Sequence, residues 1–269
     1  MSVLLAMAAF VFVHILMARP AVKVRCVEVV GRPAYLVIYS AVSVALLSWV
    51  VVALSQAPRT TLWVTPAWAY PFAIVTSFGA FCSIGVGATT PAPCSVNLRP
   101  QEGYDPDRPG VVGWLRHPLL WGLSAWGFAH VPANGDWPSL VLFLGAGVFG
   151  ILGAGAVERR RRRQLGRAAW ARLSPGRGHL DGRAVAGILL GSVLWLAMLL
   201  WGHQAAFAVD PLITLRGALR AGLVQMSGEL AEAQACGEGA VPVAEGVHYL
   251  APHQQRSLAV DGIVIYVQR

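Results

Sequence analysis

The sequence predicts an all-α integral membrane protein with about six transmembrane helices in an antiparallel bundle, followed by a C-terminal tail outside the membrane. Three observations predict this fold class. Hydrophobic residues make up 56% of the 269 residues, and the mean hydropathy is +0.57. Charged residues make up only 13%, whereas soluble domains average about a quarter. The net charge of +8 lies beside the apolar runs, where basic residues set topology and contact anionic lipid.

A helix needs about 20 apolar residues to cross roughly 30 Å of hydrocarbon, and six runs come near this length. They cover approximately residues 1–18, 34–54, 67–88, 118–131, 138–157 and 184–208. The first run lacks the charged start and cleavage site of a signal peptide, so it is predicted to remain as a span. The fourth run is the shortest, which predicts a tilted helix or one packed inside the bundle. Short loops predict antiparallel neighbours.

The distribution of Lys and Arg predicts the orientation of the bundle. Loops 19–33, 88–116 and 157–183 hold four, three and nine basic residues, which together are 16 of the 21 in the chain. These loops alternate onto one side, so that side is predicted to be cytoplasmic and both termini periplasmic. The five arginines at 159–163 are interpreted as a topology signal. We expect a multi-pass protein of the bacterial inner membrane whose partner is the lipid bilayer, and we expect no nucleic acid.

Residues 1–208 form the predicted transmembrane domain. Residues 209–269 are predicted to be a tail, either a small module or disordered, because the apolar runs stop after Asp210. The four cysteines show no disulfide or metal-ligand spacing, and no P-loop, dinucleotide-binding, zinc-protease or nucleophile-elbow motif is present. Carboxylates are missing from the span interiors, so an acid–base pair of carboxylates is not expected there.

Histidines are the titratable groups in or beside the predicted spans: His14, His117, His130 and His203. Neutral imidazole ligates haem iron and transition metals, but it also forms ordinary hydrogen bonds between membrane helices. Both interpretations remain open. His117 and His130 are 13 residues apart, about 20 Å along an ideal helix, so they cannot both bind one metal unless the helix breaks. Depth in the spans predicts two layers, with His14 near His117 and His203 near His130.

Four stretches together resemble the NnrU family over about residues 1–207. They are FVFVH ending at His14, the pair Tyr39-Ser40, the long segment PGVVGWLRHPLLWGLSAWGFAHVPANGD, and ERRRRRQLGRAAW. The resemblance implies a link to denitrification and nitric oxide metabolism. A relative is the plant 15-cis-zeta-carotene isomerase, a membrane enzyme that uses haem b. By this resemblance His14 and His130 are the candidate haem b ligands, hence the metal ligands, and His117 is the candidate catalytic residue.

Three alternatives to this function remain open from the sequence. One is a haem-dependent cis-trans isomerase of a polyene such as zeta-carotene, and another is a non-catalytic membrane accessory protein. The third is an S-adenosylmethionine-dependent methyltransferase, because the Arg-His-Pro motif at His117, followed by Glu158, is similar to the isoprenylcysteine carboxyl methyltransferases. The chain has Leu120 where that family has an aromatic residue. A hydrophobic small molecule or nitric oxide is the implied substrate or ligand.

Overall fold

The computed structural model describes residues 2–96, 98, 103–173, 177–217, 219–220, 223–224, 227, 257–260 and 263–266. The chain divides into two compact units, Met1–Leu219 and Arg220–Arg269. The helices of the first unit are α1 Ser2–Ala18, α2 Pro20–Val30, α3 Arg32–Gln56, α4 Ala69–Thr89, α5 Pro118–His130, α6 Trp137–Leu173, α7 Gly182–Ala197 and α8 His203–Phe207. A π-helix, Met198–Gly202, joins α7 to α8.

In the second unit, the strands β1 (Ser257–Val260) and β2 (Ile263–Tyr266) pair in antiparallel register. Most of the predicted tail, including His248 and His253, lies outside the described residues. The predicted domain boundary at residue 208 stays a prediction.

Four helical segments are long and apolar enough to cross a membrane: α3, α4, α6 and the stretch Gly182–Phe207. A fifth span results if α1 and α2 count as one, although they bend by 73° where they meet. The predicted count of six is therefore not confirmed. The fourth predicted span is α5, whose 13 residues reach about 20 Å and fall short of the roughly 30 Å required.

The loop expected at residues 19–33 is largely helical, because α2 occupies Pro20–Val30. Pro20 stands at the first helical position, where its missing N–H would have no partner in any case. The helix ends at Gly31, whose φ of 79° favours glycine. Lys23, Arg25 and Glu28 therefore lie on a helix that turns away from α1.

The helix pairs α1–α3, α4–α5, α5–α6 and α4–α7 pack antiparallel. His14 of α1 contacts Tyr39 of α3, and the buried cluster Val3, Ala6, Val50, Ala53 and Leu54 lies at the other end of the same pair. Helix α5 packs between α4 and α6, and α7 returns to pack on α4. The helix starts and ends alternate, so the start of α1 and the end of α8 lie at one end of the unit. The arginine run of α6 lies at the other, hereafter the basic end.

Small residues bring α4 and α7 into close contact. A Cβ atom added at Gly85 would collide with the backbone oxygen of Gly187, and one at Gly191 with the backbone oxygen of Phe81. Such contacts let two helices approach until their backbones touch, which is a typical way for membrane helices to associate. The α4–α7 contact therefore depends on residues without side chains.

Candidate functional site

The rings of His130 and His203 lie side by side at the end of the bundle opposite the basic end. Their centroids are 6.4 Å apart and their planes differ by 9°. His130 is the last residue of α5. Its ring also stacks on that of Phe143 in α6, with 4.8 Å between the ring centroids. Phe207 contacts the ring of His203. The structure thus confirms that His203 lies near His130, as their depths in the sequence predict.

Each of these two rings donates its Nδ1–H to a backbone carbonyl. The acceptor is Trp126 O at 2.8 Å for His130 and Met198 O at 3.0 Å for His203. This leaves Nε2 of both rings with a free lone pair, and no group in the described part of the chain hydrogen-bonds to either Nε2. Metal-ligating histidines in proteins characteristically have this arrangement.

His14 lies elsewhere in the bundle and has different neighbours. Both of its ring nitrogens are 3.0 Å from the hydroxyl oxygen of Tyr39, and its ring meets Phe149 edge-on. Phe149 and Phe143, which contacts His130, are six residues apart on α6, or about 9 Å along the helix axis. The structure therefore places His14 and His130 against different rings of α6. The expected proximity of His14 to His117 has no contact to support it among the described residues.

His117 lies at the basic end, where it joins a buried polar cluster. The Ser95 hydroxyl donates to Nδ1 at 2.8 Å, and Nε2–H donates to Glu158 Oε2 at 3.3 Å. Glu158 also accepts from Arg116 at 3.3 Å and Arg162 at 2.7 Å. His117 is only 4% exposed. The neutral tautomer satisfies both ring nitrogens, so the cluster links the start of α5 to α6 and to the loop after α4.

Burial lowers the pKa of His117 below its usual value, although the hydrogen bond to Glu158 opposes that shift, and the Arg116 charge adds to it. A small pocket beside this cluster is lined by Cys94, Tyr104 and Arg116, among others. The Tyr104 hydroxyl donates to Leu173 O at 2.9 Å, and burial raises its pKa to about 12. The basic end therefore holds a neutral imidazole and an undissociated phenol at neutral pH.

A larger cleft lies between α1, α2 and α3. Its volume is about 290 Å³, and apolar residues such as Met17, Val29 and Ile38 line it together with Arg25 and Cys26. Small-molecule sites typically begin at about 300 Å³ and are mostly apolar. The bend between α1 and α2 creates this space, because α2 diverges from α1 at 73°. The cleft is suited to an apolar chain rather than to a polar metabolite.

Sequence reasoning found some members of these groups and missed others. The depth of His203 and the Arg-His-Pro motif each gave a signal. Glu158, which the methyltransferase likeness groups with His117, accepts a hydrogen bond from it. Ser95 carries no such signal, because a single serine in a loop has no periodicity or motif to distinguish it. The acceptor role of Met198 depends on the π-helix, which apolar composition does not reveal.

Fold and site together define a class: a protein whose first unit is built of helices, several of them apolar and long enough to span a membrane, with histidines between them. A family model described as NnrU protein matches residues 2–211. The chain therefore belongs to the NnrU family, as its motifs predict. The comparison with curated proteins finds no match, and the comparison with solved structures finds none either.

Proposed function

We propose that this protein is an inner-membrane haem b protein that acts in nitric oxide metabolism, with His130 as a ligand of the iron. Membership of the NnrU family supports the link to denitrification and nitric oxide, which the motif resemblance implies. The apolar spans support the membrane location, and the arginine run supports a cytoplasmic basic end. The bilayer is then the principal partner of the chain, and the ligand is nitric oxide or a hydrophobic molecule.

The number of protein ligands supports haem over a bare metal ion. Among the described residues there is no group of three or more His, Cys, Asp or Glu side chains that could hold a metal ion. Zinc sites in proteins use three or four such ligands. Haem iron needs only one or two, because the porphyrin supplies the other four nitrogens. The His130 ring, with Nδ1–H bonded to Trp126 O, is the single observation on which the proposal mainly depends.

The side chains around His130 are suited to this role. The hydrogen bond from Nδ1 fixes the ring orientation and increases the basicity of Nε2. Phe143 and Trp126 cover the ring, and such apolar walls exclude water and favour the neutral imidazole. When bound, haem would supply an iron that transfers one electron, or that takes up a diatomic ligand at a position which no protein ligand occupies. The chain's own contribution is to hold, orient and desolvate the ligand.

A difference spectrum of the detergent-purified protein tests the proposal. We expect a Soret band in the wild type, after supplementation with haem if needed, and its loss in His130→Ala. His117→Ala is the matched control, because His117 forms hydrogen bonds with Ser95 and Glu158 and does not belong to the proposed haem site. This variant should keep the Soret band. A correctly folded wild-type protein that stays colourless with added haem would refute the proposal and favour the accessory-protein alternative.

The contacts of Glu158 argue against the methyltransferase alternative. It requires Glu158 to be available for a cofactor at the basic end, but Glu158 accepts from three protein groups: Arg116, His117 and Arg162. The isomerase alternative shares the haem requirement, so the same spectrum tests its first condition. The cleft at α1 to α3 is where we propose that an apolar substrate or ligand binds.

A further inference from the structure

We infer that His203 is the second iron ligand, so that His130 and His203 hold one haem between α5 and α8. This inference rests on the proposed function and names the partner that His130 needs in the same site. The two ring planes are nearly parallel, at 9°, and their centroids are 6.4 Å apart. No other histidine in the described part of the chain makes a ring contact with His130.

The ring separation matches that of two imidazoles on a single metal. A bond from a first-row metal to an imidazole nitrogen is about 2.0 Å long, and the distance from that nitrogen to the ring centre adds about 1 Å. Two such halves give about 6 Å between centroids. Two rings in direct stacking contact would lie closer, as His130 and Phe143 do at 4.8 Å. The centroid separation of 6.4 Å therefore agrees with that of two imidazoles whose Nε2 atoms face one metal.

The π-helix explains how His203 reaches this position. The carbonyl of Met198 accepts both the backbone N–H and the Nδ1–H of His203, five residues further on. A π-helix is a local widening of an α-helix that recurs at functional sites. Here it provides a carbonyl for Nδ1 and leaves Nε2 free. Both histidines thus have the same tautomer, which is the tautomer of a metal ligand.

His14 is the alternative partner, and its geometry is less suitable. The Tyr39 hydroxyl lies 3.0 Å from both of its ring nitrogens, so a donor competes with a metal for the lone pair of this imidazole. Its contact on α6 is Phe149 rather than Phe143, about two helical turns away. The rings of His130 and His203 are already neighbours, whereas His14 and His130 contact different rings of α6.

The test compares His203→Gly with His14→Ala in the full-length, haem-loaded protein. We expect wild-type iron to be six-coordinate and low-spin, and His203→Gly to become five-coordinate and high-spin by absorption and electron paramagnetic resonance. Added imidazole should restore the low-spin spectrum, because it enters the space that the side chain leaves. His14→Ala should remain low-spin without imidazole. His203→Met keeps a ligand atom, so it should stay six-coordinate with a raised reduction potential.

The outcomes separate this inference from the proposed function. A low-spin spectrum that persists in His203→Gly and is lost in His14→Ala overturns the inference and leaves the haem function standing. A wild-type protein without any haem spectrum overturns both. If His203→Gly does not fold, His203→Met decides, since a high-spin or unchanged spectrum in that variant also contradicts the inference.

Discussion

At the scale of single residues, His117 shows how burial and hydrogen bonding fix one protonation state. Its ring is nearly inaccessible and takes part in two hydrogen bonds, to Ser95 and Glu158. Protonation would require the Ser95 hydroxyl to turn and accept from Nδ1–H, and it would bring a second cation next to Arg116. The neutral ring is therefore part of the folded structure.

This protonation state predicts a pH-dependent stability. The pKa of His117 is lowered from 6.5 in the folded protein, so below about pH 6.5 the unfolded chain binds a proton that the folded chain does not. The free energy of unfolding should fall as the pH drops from 6.5 toward the folded-state pKa. Thermal unfolding in detergent at pH 7.5, 6.5 and 5.5 measures this. In His117→Gln the unfolding temperature should depend less steeply on pH than in the wild type. The same dependence in both proteins would contradict the prediction.

At the scale of elements, the α4–α7 contact gives a sharp stability prediction. Gly191→Ala would place a Cβ against the backbone of Phe81 and Cys82, and overpacking of this kind costs about 1–3 kcal/mol. We expect a lower unfolding temperature in detergent. Gly79→Ala is the control on α4 itself, because a Cβ there meets nothing within 4 Å; it should be neutral or slightly stabilising. Equal effects of the two changes would refute the close contact.

Hydropathy predicted the long helices well because it sums over some twenty residues. The predicted runs 34–54 and 67–88 differ from α3 and α4 by a few residues at each end. It also located α5, because the predicted run 118–131 matches Pro118–His130 to within one residue. It counted this helix as a span, although 13 residues are too few to cross about 30 Å of hydrocarbon. Hydropathy also missed α2, because charged residues lower the mean hydropathy of this segment to that of a loop. The proline at its first position, which favours a helix start, does not enter a hydropathy average.

The site was predictable only where depth or a motif carried information. Depth predicted that His203 lies near His130, and the two rings are neighbours in the structure. The similarity to the methyltransferases singled out His117 and Glu158, and these two side chains form a hydrogen bond. Ring orientation, by contrast, follows from backbone carbonyls such as Met198 O, which depend on a local change of helix type. A sequence pattern based on the α-helical period of 3.6 residues does not reveal a local π-helix.

At the scale of the whole molecule, the two ends of the first unit differ in charge, because the basic end carries the arginine run of α6. The start of α1 and the end of α8 lie opposite the arginines of α6, so the proposed orientation places both in the periplasm. We expect alkaline phosphatase fused after Phe207 to be active in cells, and green fluorescent protein fused after Leu173 to fluoresce. The reciprocal fusions are the controls, and the reverse pattern would refute the orientation.

The glycine contact between α4 and α7 also bears on how the chain is made. Helices α5 and α6 can each pack on the preceding helix as soon as they leave the ribosome, but the surface of α4 around Gly85 must wait for Gly187. At about 5–20 residues per second, synthesis of the intervening segment takes about 5–20 s. During that time the bundle is an insertion intermediate in which the surface of α4 around Gly85 lacks its partner helix. Arrival of the last helix is thus the step that turns a nascent chain into a mature one.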